Sequence, residues 1–140
     1  MPTLTVSRGI AARSATVWTI LADFGKVDWI PGASGVQVEG DGPGMRRIIA
    51  GSGGTSIVET LISLKPEERA LSYQITDNPL PVSRFVSTVT VSDANGSADE
   101  STVAWRIDYE PTGDDDAARG AIEGVYGMMA GWIEDYANAR

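Results

Sequence analysis

Every clear period-two run of hydrophobic residues in this chain lies before residue 114, and one long period of three to four follows it. In the last stretch, Asp114 to Ala139, the residues Ala118, Ile122, Val125, Met129, Trp132, Ile133 and Tyr136 fall on one broad face, while Arg119, Glu123 and Glu134 fall elsewhere. That spacing predicts a single amphipathic helix of about 25 residues. Asp114, Asp115 and Asp116 supply its N-cap and an acidic first turn, which suits the positive end of the helix dipole. Three consecutive carboxylates point in different directions and make a poor cation cage, so they read as a cap.

Ahead of that helix, Thr3 to Ile10 alternates, with Leu4 and Val6 on one face and Thr3, Thr5 and Ser7 on the other. Ser14 reads as the N-cap of a short helix through Ala22, and Asp23-Phe24-Gly25 ends it. Asp28-Trp29-Ile30-Pro31-Gly32 then suggests a second short helix closed by a turn. Six strand candidates follow: Gly35–Glu39, Met45–Ala50, Thr55–Leu64, Ala70–Thr76, Val82–Ser92 and Ser101–Glu110. Gly51-Ser52-Gly53-Gly54 separates two of them, a proline-rich loop from Asp77 to Pro81 separates two more, and Asp93–Glu100 reads as a polar hairpin loop. Strands joined by short loops pair antiparallel. The expectation is an α+β fold over residues 1–140, in which a curved seven-stranded antiparallel sheet wraps one long C-terminal helix, with two short helices after the first strand. Such a sheet can leave a cavity between itself and the helix.

Composition narrows the chemistry. Eleven Lys and Arg against 19 Asp and Glu give a net charge of −8, which repels phosphate backbones and anionic lipid surfaces. No basic stripe interleaved with aromatics occurs, so no nucleic-acid partner is expected. The chain has neither cysteine nor histidine. Disulfides, thiol chemistry, a Ser-His-Asp triad and a histidine-ligated metal all fall away together. No cofactor or metal is expected. No apolar run approaches the roughly 18 residues of a membrane span, and Met1-Pro2-Thr3-Leu4-Thr5 has no signal-peptide character, so the expected setting is cytoplasmic.

Thr16-Val17-Trp18 and the run Asp23 to Gly32, with Val58-Glu59-Thr60-Leu61, Leu80-Pro81-Val82-Ser83-Arg84-Phe85 and Trp105 through Pro111, resemble the polyketide cyclase/dehydrase-type START-like proteins. This is the SRPBCC superfamily, with the birch-pollen-allergen or helix-grip fold. The resemblance covers essentially the whole chain. It implies a cavity for a hydrophobic small molecule under the C-terminal helix and, in a minority of members, aromatase or cyclase activity. In pattern the chain is also similar to plant abscisic-acid receptors, whose gate loop would correspond to Ser52, Gly53 and Gly54 and whose latch would correspond to Leu80, Pro81 and Val82. Pocket positions of that family match Glu59, Phe85, Ser87 and Trp105. The chain departs from it in having only Lys26 and Lys65, neither at the hormone-pairing position, no latch histidine, and a glycine-rich gate. Hormone binding and phosphatase partnership are therefore not implied; a lidded pocket is.

Strand alternation bears on the same positions. Phe85, Ser87, Val89 and Val91 share a face, as do Val103, Trp105, Ile107 and Tyr109, and as do Leu71, Tyr73 and Ile75. These faces are either a cavity wall or a solid core, since both require apolar residues. Glu59 is the candidate catalytic or anchoring group: pointing inward beside Ile57 and Leu61, it is a carboxylate in apolar surroundings, able to hold a ligand hydroxyl or move a proton. Pointing outward, it leaves Val58 and Ile62 to face the core instead. Arg46 and Arg47 are adjacent, so one of them points inward, to pair with Glu59 or a ligand acid or to end at the rim with its head in water. Arg84 is similarly placed beside the proline loop. Tyr73, Ser87 and Tyr126 are candidate hydrogen-bonding groups, Ile107, Ile122 and Met129 candidate apolar walls, and Met128 and Met129 near Trp132 an adaptable floor or plain core. Ser52-Gly53-Gly54 lacks a phosphate-loop continuation and reads as a lid or an ordinary hairpin. The leading expectation is a monomeric or weakly dimeric carrier of a lipid, polyketide, isoprenoid or aromatic. The alternative is a cyclase, aromatase or dehydratase using Glu59.

Overall fold

The computed structural model of the protein describes residues 2–31, 36–50, 56–77 and 80–139. In chain order these form β1 (Thr3–Ile10), α1 (Ser14–Ala22), β2 (Gln37–Glu39), β3 (Arg46–Ala50), β4 (Ser56–Lys65), β5 (Ala70–Asp77), β6 (Val82–Ala94), β7 (Ser97–Pro111) and α2 (Asp115–Asn138), with a single 3-10 turn at Pro66–Glu68. The strands make one antiparallel sheet in the order β1-β7-β6-β5-β4-β3-β2. The first strand closes against the last one, and the rest follow as a meander. This is the expected helix-grip arrangement.

Helix α2 lies along the inner face of that sheet. Asp114 caps it, its carboxylate accepting from the Ala117 N–H at 3.0 Å. One seam of the helix, Ala118, Ile122, Tyr126, Ala130, Ile133 and Ala137, is buried against the sheet. A second seam, Val125, Met129, Trp132 and Tyr136, is half-buried. Across from them the alternating residues of β6 and β7 point inward, with Phe85, Val89, Val103, Trp105, Ile107 and Tyr109 all buried. Each such side chain contributes about 1.5–3 kcal/mol of transfer free energy, so this interface dominates the fold.

Three local expectations change. Ser14 is the first helical residue rather than the cap, and Arg13 precedes it without a side-chain cap. The Ser14 hydroxyl instead donates to Asp93 and accepts from Arg69 Nη1 at 2.7 Å, tying the start of α1 to the far end of β6. The segment beginning at Asp28 shows turns over its described residues, with Ile30 N–H donating to the Val27 carbonyl at 2.9 Å; Gly32 lies outside them. The polar stretch Asp93–Glu100 is mostly strand. Asn95 and Gly96, at φ 54° and 71°, make a two-residue turn between β6 and β7. That geometry matches the right-handed twist of the flanking strands, and glycine adopts it without a Cβ clash.

Candidate functional site

The site is built where β3, β4 and β5 splay from the second seam of α2. Adjacent Arg46 and Arg47 on β3 point to opposite faces. Arg46 is exposed and pairs with Glu39 at 3.2 Å, whereas Arg47 is 6% exposed and points under the helix. On β4, Glu59 is also 6% exposed, and Ile62 lies exposed on the outer side. Glu59 therefore faces inward with Leu61. Val58 is buried as well, and the β4–β5 pairing slips by a residue between Val58 and Glu59, which breaks the alternation.

Arg47 and Glu59 sit directly opposite in the β3–β4 register, and Arg47 Nε donates to Glu59 Oε1 at 2.5 Å. Arg47 Nη1 donates to the Phe24 carbonyl at 2.7 Å, and the guanidinium carbon stands 3.9 Å from the centroid of the Phe24 ring. The guanidinium is thus held by a carboxylate, a carbonyl and an aromatic face. That combination compensates a buried ion, whose desolvation would otherwise cost several kcal/mol.

Behind this pair two tyrosines share a hydrogen bond, Tyr73 Oη to Tyr126 Oη at 2.7 Å. Burial first, and then the negative charge of Glu59, push the Tyr73 hydroxyl up to about 12. Burial, then the charges of Tyr73 and Glu59, push Tyr126 well above its ordinary value. Both therefore keep their protons at neutral pH: they can donate hydrogen bonds but cannot serve as bases. Ser87 faces Tyr73 across the β5–β6 register. Among the described residues its Oγ is the one buried side-chain oxygen or nitrogen outside hydrogen-bond geometry, although its proximity still eases ionisation of Tyr73.

A cavity of about 450 Å³ opens in front of these groups. Its polar edge is Arg47, Glu59 and Tyr126; its apolar walls are Ile30, Ile49, Ile57, Ile75 and Leu80 on one side and Val125, Met128, Met129 and Trp132 on the other. Met128, 54% exposed, stands at the mouth. The volume and the mix of apolar walls with a few convergent polar groups are those of a small-molecule site.

The residues expected to line a cavity divide into two sets. Glu59, Tyr126 and Met129 line it. Tyr73 and Trp105 border only a void of about 10 Å³, room for about one water. Phe85, Ser87, Ile107 and Ile122 are sealed at 0–1% exposure and do not reach the main cavity. The reason is aromatic packing. Phe85 stacks on Tyr126 at 6.0 Å between centroids, and Trp105 tilts against Tyr126 at 5.1 Å, so the three rings together fill space under the helix. Of the lid residues, Leu80 lines the cavity, Pro81 is exposed and Val82 half-buried; Ser52, Gly53 and Gly54 lie outside the described residues. Arg84 is exposed. Ile30, Ile49 and Ile57 line the cavity without having been assigned to it from the sequence. Ile75 lies on the face it shares with Leu71 and Tyr73, which the alternation left open between cavity wall and core, and here it is wall.

Two other depressions are of different character. One of about 570 Å³ lies between the start of α1 and the end of α2, bordered by Arg13, Thr16, Thr19, Asp99 and Asn138. Another of about 450 Å³ lies between the turn after α1 and the loop from Gly40 to Met45. Among the described residues neither contains a buried charged or hydrogen-bonded polar cluster. Among the described residues, too, no group of three or more His, Cys, Asp or Glu could hold a metal ion, and no helix is long and apolar enough to cross a membrane.

Comparison with known proteins places this geometry. Residues 1–136 match a family model described as polyketide cyclase / dehydrase and lipid transport. Among solved structures, a putative uncharacterised protein from Bacillus thuringiensis is 25% identical with a TM-score of 0.84, over 97% of this chain and 98% of that one. Norcoclaurine synthase from Thalictrum flavum, solved with dopamine and hydroxybenzaldehyde, is 19% identical with a TM-score of 0.74, over 99% and 87%. Ara h 8.0201 is 15% identical with a TM-score of 0.75, over 99% of both chains. The last two share the fold. Among curated proteins none matches the sequence.

Proposed function

The chain belongs to the polyketide cyclase/dehydrase and lipid transport family, within the START-like superfamily, and from that premise we propose that it binds a mostly apolar small molecule in the cavity between β3–β5 and α2. The family supports a ligand-binding domain. The observation that carries the reading further is the Arg47–Glu59 pair set into an otherwise apolar wall. A buried ion pair stabilises a fold little compared with apolar residues of the same volume. In a cavity wall, however, it supplies the orienting polar contacts that a recognition site needs. Apolar burial then provides affinity at about 25 cal/mol per Å² before ordering costs. Met128, exposed to solvent, marks the side from which a ligand would enter.

The test uses N-phenyl-1-naphthylamine, a neutral apolar fluorophore. The wild type should enhance and saturate its emission. Val125→Trp, which fills the cavity from the half-buried seam of α2, should lose that binding at least tenfold with an unchanged circular-dichroism spectrum. Equal binding by both proteins would place the probe elsewhere and refute the site.

A second reading, catalysis, has one specific observation in its favour. Burial keeps Tyr73 and Tyr126 protonated, and Glu59 is the one carboxylate on the described cavity wall. A cyclase or dehydratase built here would use Glu59 as base and Tyr126 as hydrogen-bond donor. Glu59→Gln would then abolish turnover and leave the fold intact, whereas a carrier has no turnover to lose.

A further inference from the structure

The unengaged edges of the ion pair say which ligands the cavity accepts. Arg47 spends Nε on Glu59 and Nη1 on the Phe24 carbonyl, and Glu59 spends Oε1 on Arg47. Among the described residues no hydrogen-bond partner engages the remaining atoms, Arg47 Nη2 and Glu59 Oε2. Both residues line the cavity, and both are 6% exposed. The ion pair therefore brings a guanidinium and a carboxylate to the same cavity wall.

Resting on the reading of this cavity as a ligand site, we propose that Glu59 acts as a built-in counter-ion that closes Arg47 to anions, so that the site selects neutral, hydroxyl-bearing apolar molecules and rejects carboxylates. A neutral hydroxyl satisfies both edges at once: its oxygen accepts from Arg47 Nη2 and its proton goes to Glu59 Oε2. A carboxylate gains the arginine but meets the glutamate, and must shed its hydration to do so. Among the described residues no lysine, and no arginine besides Arg47, lines the cavity to offset that cost. The overall charge of −8 adds a weaker field of the same sign. An ammonium ligand meets the mirror-image penalty from Arg47.

The experiment is calorimetric titration of the whole chain at neutral pH with 2-naphthol, 2-naphthoate and 2-naphthylmethylammonium. These probes are similar in size and differ in charge. The wild type should bind 2-naphthol at least tenfold more tightly than either ion. Glu59→Gln uncovers Arg47 and should move the naphthoate-to-naphthol ratio at least tenfold toward naphthoate. Arg47→Gln should move the ammonium-to-naphthol ratio by a similar factor the other way. It also provides an independent arm if circular dichroism shows that Glu59→Gln does not fold. Wild-type protein that binds naphthoate as tightly as naphthol overturns the counter-ion proposal while leaving the cavity a binding site. If none of the three binds, the proposal fails. Binding of N-phenyl-1-naphthylamine to the same sample then shows whether the cavity reading survives or falls with it.

Discussion

Arg46 and Arg47 offer the same substitution on opposite faces of one strand, and the two should differ several-fold in cost. Arg47→Met removes a guanidinium that holds Glu59 at 2.5 Å, the Phe24 carbonyl at 2.7 Å and the Phe24 ring at 3.9 Å. It leaves a carboxylate that is 6% exposed without its partner. Breaking a buried pair from one side costs about 3–5 kcal/mol. Because Glu59 borders the cavity, water can reach part of the carboxylate, which places the expected loss at about 3 kcal/mol. Arg46→Met removes a pair at 3.2 Å whose side chains are 46% and 45% exposed. Its loss should not exceed about 1 kcal/mol, because solvent screens such pairs. Replacing both members of the inner pair, Arg47→Met with Glu59→Met, should recover most of the loss, since apolar residues of similar volume tolerate the site. Urea denaturation of the four proteins, compared at constant m-value, reads these differences. If Arg47→Met and Arg46→Met cost the same, or if the double replacement is as unstable as Arg47→Met alone, then Glu59 is not a buried, paired charge and the architecture assigned to the site is wrong.

Further outcomes follow from the same geometry. The raised Tyr73 hydroxyl makes the fold alkali-sensitive in a definite window. Below pH 10 both states hold the proton; between pH 10 and about 12 only the unfolded chain releases it, so stability falls as pH rises. The loss attributable to Tyr73 should reach about 3 kcal/mol once pH passes 12, and about half of that at pH 11; Tyr126 acts in the same direction, and urea curves of wild type and Tyr73→Phe across this range isolate the Tyr73 part. Tyr126→Phe keeps the ring in contact with Phe85 and Trp105 but strips the 2.7 Å bond from a buried Tyr73 hydroxyl, and should cost about 1–2 kcal/mol in chemical denaturation. Gly96→Ala forces a Cβ into φ 71° at the β6–β7 turn and should lower stability by about 1 kcal/mol without altering probe binding.

The sheet and long helix were legible because their periodicities are unbroken: Val103, Trp105, Ile107 and Tyr109 alternate inward as written, and Asp114 caps α2 as its sequence suggests. The extent of the cavity was not legible. A cavity wall and a solid core both demand apolar residues on the inner face, so Phe85 and Ile107 looked the same as Ile49 and Ile75. What separates them is how the large rings stack, and Phe85, Tyr126 and Trp105 come from three elements far apart in sequence. The orientation of Glu59 was ambiguous for a local reason, a slip in the β4–β5 pairing beside a buried Val58. Arg47 resolves it, because a register that sets Arg47 opposite Glu59 buries both charges together. The Asn95-Gly96 turn was present in the sequence as a hairpin signal and was obscured by the polar residues around it.

The claim on which the rest depends is that a ligand lies between β3–β5 and α2. Methyl-labelled NMR of the protein with bound N-phenyl-1-naphthylamine tests this directly, through nuclear Overhauser contacts between the probe's aromatic protons and side-chain methyls. Contacts to Ile49, Ile57, Ile75 and Met129, with none to the exposed methyls of Val38 and Ile62, are the predicted result. Contacts confined to Val38 and Ile62, or to residues bordering the depression beside α1, would contradict it.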